Sequence, residues 1–178
     1  MHNKLRLAGI AGIASIIFAV LVSFYAPDSL PDPSLLTFQP SPLLVIIGVA
    51  LYLPYIYGFV LLGQKLKSKG LVAASYCLIA ISVLAGIAFL ALPMILDNLV
   101  IGIGFGLFTS ACVVIIGWSV LNLKSRLGSL GVWYGVSAML SGIGIPLFFG
   151  LYTEMAVDMV AFALGAMLFF RAAKGRDT

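Results

Sequence analysis

Residues 43–63 read LLVIIGVALYLPYIYGFVLLG, a run with no charged side chain. As a helix, a run of this length rises about 30 Å, the thickness of a bilayer's hydrocarbon core. Its apolarity is continuous rather than alternating, which excludes a strand of a membrane barrel. A helix satisfies its own backbone hydrogen bonds in lipid. The stretch therefore sets the fold class as an all-α transmembrane helix bundle.

Five further runs of similar character flank it, at roughly 7–25, 70–92, 99–121, 129–151 and 152–170. Composition agrees, with 62% hydrophobic and 9% charged residues. Soluble domains carry about 45–50% apolar and about 25% charged residues, so a water-soluble core does not fit. The expectation is one integral membrane domain over residues 1–178, with six spans.

The charges give an orientation. Lys4 and Arg6 precede the first run. Lys65, Lys67 and Lys69 separate the second from the third, and Lys124 and Arg126 the fourth from the fifth. Arg171, Lys174 and Arg176 follow the sixth. In a six-span path every one of these falls on one side. Asp28, Asp32, Asp97 and Glu154 fall on the other, with Asp158 one turn inward and Asp177 alone on the basic side. The positive-inside rule then puts both termini in the cytoplasm and the chain, as a multi-pass protein, in the plasma (inner) membrane. The net charge of +4 is thus a topology signal. No basic face interleaved with aromatics exists, so nucleic acid is not an expected partner.

Residues 26–42, APDSLPDPSLLTFQPSP, hold five of the eight prolines and read as an extended external loop. The first run is too long for a signal-peptide core and Ala26 is followed by Pro27, so it reads as a retained helix. LKSK at 66–69 and LKSR at 123–126 each open a helix of small residues; this reads either as a two-helix repeat of the kind found in some transporters or as the basic-then-apolar entry common to helices that start from the cytoplasm.

Several chemistries are excluded. His2, the sole histidine, lies outside the runs, so histidine-based metal sites, haem ligation and a serine–histidine pair have no intramembrane donor. No metal site or cofactor is expected. IGIGFG at 101–106 lies mid-run without a preceding strand, which rules out a phosphate loop. Gly102, Gly104 and Gly106, and the Gly131/Gly135 pair, read instead as surfaces for close helix approach. Cys77 and Cys112 fit no ligand spacing and read as small core residues.

Two clusters remain. In LYLPYIYGF, Pro54 removes a helix hydrogen bond and predicts a kink in the second span. Tyr52, Tyr55 and Tyr57 surround it at mid-depth, where a phenol needs a partner. They satisfy the kink and each other, or they line a cavity with polar handles. In GLYTEMAVDMVAFALG (150–165), Glu154 and Asp158 share one face of a helix. Asp158 lies about 6 Å deeper, on a stripe that continues through Ala161 and Gly165. No Lys or Arg shares its depth. An intramembrane acid marks a functional site by default, for a proton, a cation or a ligand's donor groups; a wetted interfacial acid is the bland reading.

The second half resembles small six-span membrane proteins of domain-of-unknown-function families. The likeness covers about the last 80 residues, through LGSLGVWYGVSAML, the acid-bearing last helix and RAAKG. It implies the fold and transfers no activity. In size, span count and inside termini the chain is also similar to the substrate-binding membrane subunits of vitamin-uptake transporters, an analogy of architecture. Two functions follow as expectations. One is a small-ligand or ion transport or binding component using Asp158, Glu154, Tyr52, Tyr55 and Tyr57. The other is a non-catalytic structural or accessory subunit whose small-residue faces pack against partner helices or a second copy. The visible residues form no nucleophile–base pair, which argues against an enzyme.

Overall fold

The structure, a computed structural model, describes residues 1–25, 42–91, 99–147 and 151–174. These form six helices: α1 (His2–Tyr25), α2 (Pro42–Leu66), α3 (Lys69–Ala91), α4 (Leu99–Asn122), α5 (Lys124–Leu147) and α6 (Leu151–Ala173). Each covers one apolar run. Five are long and apolar enough to cross a membrane, over His2–Val22, Pro42–Leu66, Lys69–Ala88, Ile103–Asn122 and Ala156–Ala173. Helix α5 is as long as its neighbours, at 24 residues. Its serines and glycines (Ser129, Gly131, Gly135, Ser137, Ser141, Gly142) dilute its apolarity. The external-loop expectation for 26–42 lies, apart from Pro42, outside the described residues, as do Asp28, Asp32 and Asp97.

Consecutive helices pack side by side, α6 returns to α1 to close a ring, and α2 also reaches α6 across it. Very short links join α2 to α3 and α4 to α5 at the basic end. Lys67 takes a left-handed conformation (φ 57°) at the end of α2. Its N–H bonds Gln64 O at 3.3 Å, and that of Ser68 bonds Gly63 O at 2.8 Å. This pair of bonds is a Schellman close. Ser68 Oγ then accepts the Leu71 N–H at 3.4 Å as the cap of α3.

The basic residues do more than mark a side. The last carbonyls of a helix have no partner within it, and here neighbouring helices supply donors. Lys65 Nζ reaches Ala172 O at 3.2 Å. An Arg126 guanidinium nitrogen reaches Leu66 O at 3.4 Å. His2 Nδ1 sits 2.6 Å from Ala173 O, which places the proton on that nitrogen. Helix α5 breaks at Gly128, whose φ of 66° and ψ of −157° belong to a region open to glycine alone. The break frees Leu127 O, and Arg171 donates to it at 3.3 Å. One end of the bundle is thus basic and laced by cross-helix caps.

Small residues set the closest approaches. A Cβ built on Gly117 would lie 2.8 Å from Gly135 O, and one on Gly135 equally close to Gly117 O, so α4 and α5 meet backbone to backbone. At the junction of α1, α2 and α6, a Cβ on Gly58 would stand 2.6 Å from the Ala8 Cβ and 2.7 Å from the Phe169 ring. Gly131 faces Leu127 of its own helix. Gly104 and Gly106 have nothing within 4 Å of a built Cβ, so the close approach expected of them does not occur within the described chain. The surroundings of Gly102 lie outside what the structure describes.

Burial is uneven along the bundle. Counting from the basic end, it stops at Gly12 in α1, Tyr55 in α2, Leu78 in α3 and Ala161 in α6. It stops at Ser110 in α4, level with Ala161, and reaches further, to Gly142, in α5. Beyond those levels the described residues of α1, α2 and α3 are half-buried or exposed. Interior positions are fully buried toward the basic end and partly buried toward the other among the described residues. Outside, every helix presents large apolar side chains, among them Ile10 and Ile17, Ile46, Leu84, Leu107, Leu140 and Met167. Tyr57, Tyr76, Trp118 and Trp133 are exposed as well. They lie about 6–14 Å from the basic ends of their helices at the helical rise, an outer aromatic girdle in the half of the bundle nearer the basic end.

Candidate functional site

Helix α6 carries Asp158 to about 20 Å from the basic end, just beyond the last buried residue of that helix, Ala161. The carboxyl is half-buried. Ser141 of α5, itself buried, donates its hydroxyl hydrogen to Asp158 Oδ1. Among the described residues every Lys and Arg lies at the basic end, so no cation faces the carboxyl. Two cavities share Asp158, Tyr52 and Phe162 in their walls. One is a cleft of about 410 Å³ between α1, α2 and α6, with Ser15, Phe18 and Val45 in its wall. The other, about 90 Å³, lies inside the ring and is bounded by Tyr55, Phe59, Tyr134 and Ser141.

Below Asp158 the ring is filled with aromatic side chains. Tyr52 and Phe162 lie with ring centroids 5.8 Å apart. Tyr55 stacks on Phe162 at 4.5 Å and meets Phe59 edge-on at 5.4 Å. Phe59 in turn stacks on Tyr134 at 5.0 Å and packs on Phe169 at 4.6 Å. The Tyr55 hydroxyl donates to Ala161 O at 3.4 Å. Gly165 makes room for that ring, since a Cβ there would overlap the Tyr55 hydroxyl. The rings form a packed plug between the cleft and the basic end.

Comparisons with family models, curated proteins and solved structures found no match. The functional reading therefore stands on this geometry.

Of the residues singled out in the sequence, Asp158, Tyr52 and Tyr55 come together. Glu154 lies in the first turn of α6, and its side chain is outside what the structure describes. Tyr57 is 37% exposed and joins the outer girdle, because it lies two residues from Tyr55 on a helix whose inner face continues through Phe59 and Leu62. Helix α2 runs unbroken across Pro54; among the described residues, the one non-helical position within a helix is Gly128. Cys112 is buried and Cys77 exposed, both as free thiols. Ser141, Phe162 and Tyr134 are not legible in the sequence as site residues. Tyr134, Ala138 and Ser141 do share a helix face, a spacing signal, but what that face meets is set by the ring closure and not by any local pattern.

Proposed function

We propose that the chain is a six-span membrane protein with both termini cytoplasmic, and that it binds or carries a small ligand entering from the opposite side. Asp158 is the polar anchor of this site. The observation that carries the reading is the position of Asp158. It lines the cleft between α1, α2 and α6, held by Ser141 and faced by no cation among the described residues, above the aromatic plug. Ligand sites are concave, mostly apolar and furnished with few polar groups, as this cleft is. An acid with no protein counter-ion at this depth costs stability, which a binding role explains and packing does not.

The topology is tested by reporter fusions. A fusion after Lys174 should be active with a cytoplasmic reporter, and one after Asp32 with a reporter that works only once exported. The reverse pattern would overturn the orientation.

The site is tested by Asp158→Asn, which keeps shape and the Ser141 partner while removing charge. Protein in lipid nanodiscs is screened for thermal stabilisation by a mixed panel of cationic, neutral and anionic small molecules. At least one chemical class should stabilise the parent chain and lose about tenfold or more in affinity in the variant. If no class does so, the reading fails. The second reading, a non-catalytic accessory subunit, draws on Gly104 and Gly106, which face open space on α4. It predicts a stable complex with another membrane protein and no ligand response at Asp158.

A further inference from the structure

The cleft restricts what Asp158 can hold. Bare metal ions fit poorly. Calcium takes about six to eight oxygen ligands, and among the described residues the cleft offers side-chain oxygens from Asp158, Ser15 and Tyr52 alone. No group of three or more metal-ligating side chains occurs among the described residues. Anionic ligands meet an acid and no base. A neutral apolar molecule would fill the walls but leave the carboxylate facing it without a partner, a costly arrangement in a low-dielectric site.

The remaining class is an organic cation with an apolar body. Ser141 engages Oδ1 and leaves the second carboxylate oxygen to the ligand. Phe18, Tyr52 and Phe162 contribute three aromatic rings to the same cleft, and ring faces attract ammonium groups. The rest of the wall is apolar and suits an aryl or alkyl body. The volume of about 410 Å³ lies within the span of small-molecule sites, about 300–1,000 Å³.

We infer that the cleft between α1, α2 and α6 binds a monovalent amphiphilic organic cation, its ammonium group between Asp158 and the rings of Tyr52 and Phe162. This rests on the ligand-binding reading above and narrows it to one chemical class. The probe is benzyltrimethylammonium, paired with neopentylbenzene, in which carbon replaces the charged nitrogen at unchanged shape. Binding of each to the full chain in nanodiscs is followed by equilibrium dialysis against empty nanodiscs.

The cation should bind saturably, and Asp158→Asn should weaken it at least about tenfold. Tyr52→Leu, which leaves the charge and removes a ring, should weaken it roughly two- to thirtyfold. Neopentylbenzene should only partition into lipid, equally in all variants. Each variant is checked for unchanged helicity and monodispersity. Cation binding that survives Asp158→Asn, absence of saturable cation binding to the parent chain, or saturable binding of neopentylbenzene as tight as the cation's would overturn the inference. In any of these cases the broader reading still stands if a neutral or anionic compound in the mixed panel depends on Asp158, and falls with the inference if none does.

Discussion

Gly58→Val should prevent the bundle from assembling, whereas Gly104→Ala should leave it intact or slightly firmer. Both glycines lie inside long apolar helices, and sequence alone would rank Gly104 the more important, being one of three in IGIGFG. Their surroundings differ. Gly58 is buried where α1, α2 and α6 meet, and the ring closes through that contact. The first carbon of any side chain there would stand 2.6 Å from the Ala8 Cβ. Ala8 cannot rotate away, because a methyl on the backbone moves only with its helix. The Phe169 ring on the other side is fully buried and held by Phe59 and Tyr55. Overpacking of a filled core costs about 1–3 kcal/mol when neighbours can shift. Here the shift would part α1 from α2 and α6, so the loss should exceed that range. Gly104 has open space around it, and replacing a helical glycine by alanine gains about 0.5–1 kcal/mol. Thermal unfolding in detergent, followed by circular dichroism, separates the two. A Gly58→Val protein as stable as the parent would mean that the helices do not close in this way.

The helices are legible in the sequence because one signal dominates them. Uncharged runs near 20 residues leave little choice but helix, and the basic clusters at 65–69 and 124–126 cut the runs where the structure turns. The partition of charge is legible too, but not its local use. That Lys65, Arg126 and Arg171 cap carbonyls of neighbouring helices follows from which helix ends meet, which no spacing encodes. Gly128 shows the opposite difficulty: α5 leaves helical dihedrals there with no strong local signal, while α2 stays one continuous helix across Pro54. A glycine can take the left-handed turn that the break needs, and Arg171 is at hand to satisfy the freed carbonyl. A proline in mid-helix has no such latitude. The site is half legible. Asp158 stands out as an acid among apolar residues, and Tyr55 as a phenol beside Pro54. Ser141 and Phe162 carry no comparable mark, since one more serine in a small-residue helix and one more phenylalanine in an apolar run are ordinary. Tyr57 enters the sequence-derived set by proximity to Pro54, although two residues along a helix turn a side chain by more than half a circle.

Phe59→Ala should cost the fold more than any polar substitution at the site, and yet leave the bundle sealed. Phe59 is 2% exposed and takes part in ring contacts with Tyr55, Tyr134 and Phe169. Truncating a buried phenylalanine costs about 3–5 kcal/mol, through lost contacts and the void left behind. Collapse into that void is hindered, because the three surrounding rings come from different helices and Tyr55 and Phe169 are also packed on each other. The void would adjoin the inner cavity, whose wall Phe59 forms. Enlarged on the side lined by rings and aliphatic groups, away from Asp158, Ser141 and Thr109, it should accept a small apolar molecule. Benzene should therefore restore part of the lost thermal stability in Phe59→Ala and do nothing for the parent chain. The seal itself should hold, because Leu62, Leu5 and Phe169 form further buried layers between Phe59 and the basic end, each at most 1% exposed. In proteoliposomes the variant should pass potassium no faster than the parent chain does. A leak created by this one truncation would show that the plug is a single aromatic layer and that the layers beneath it do not close.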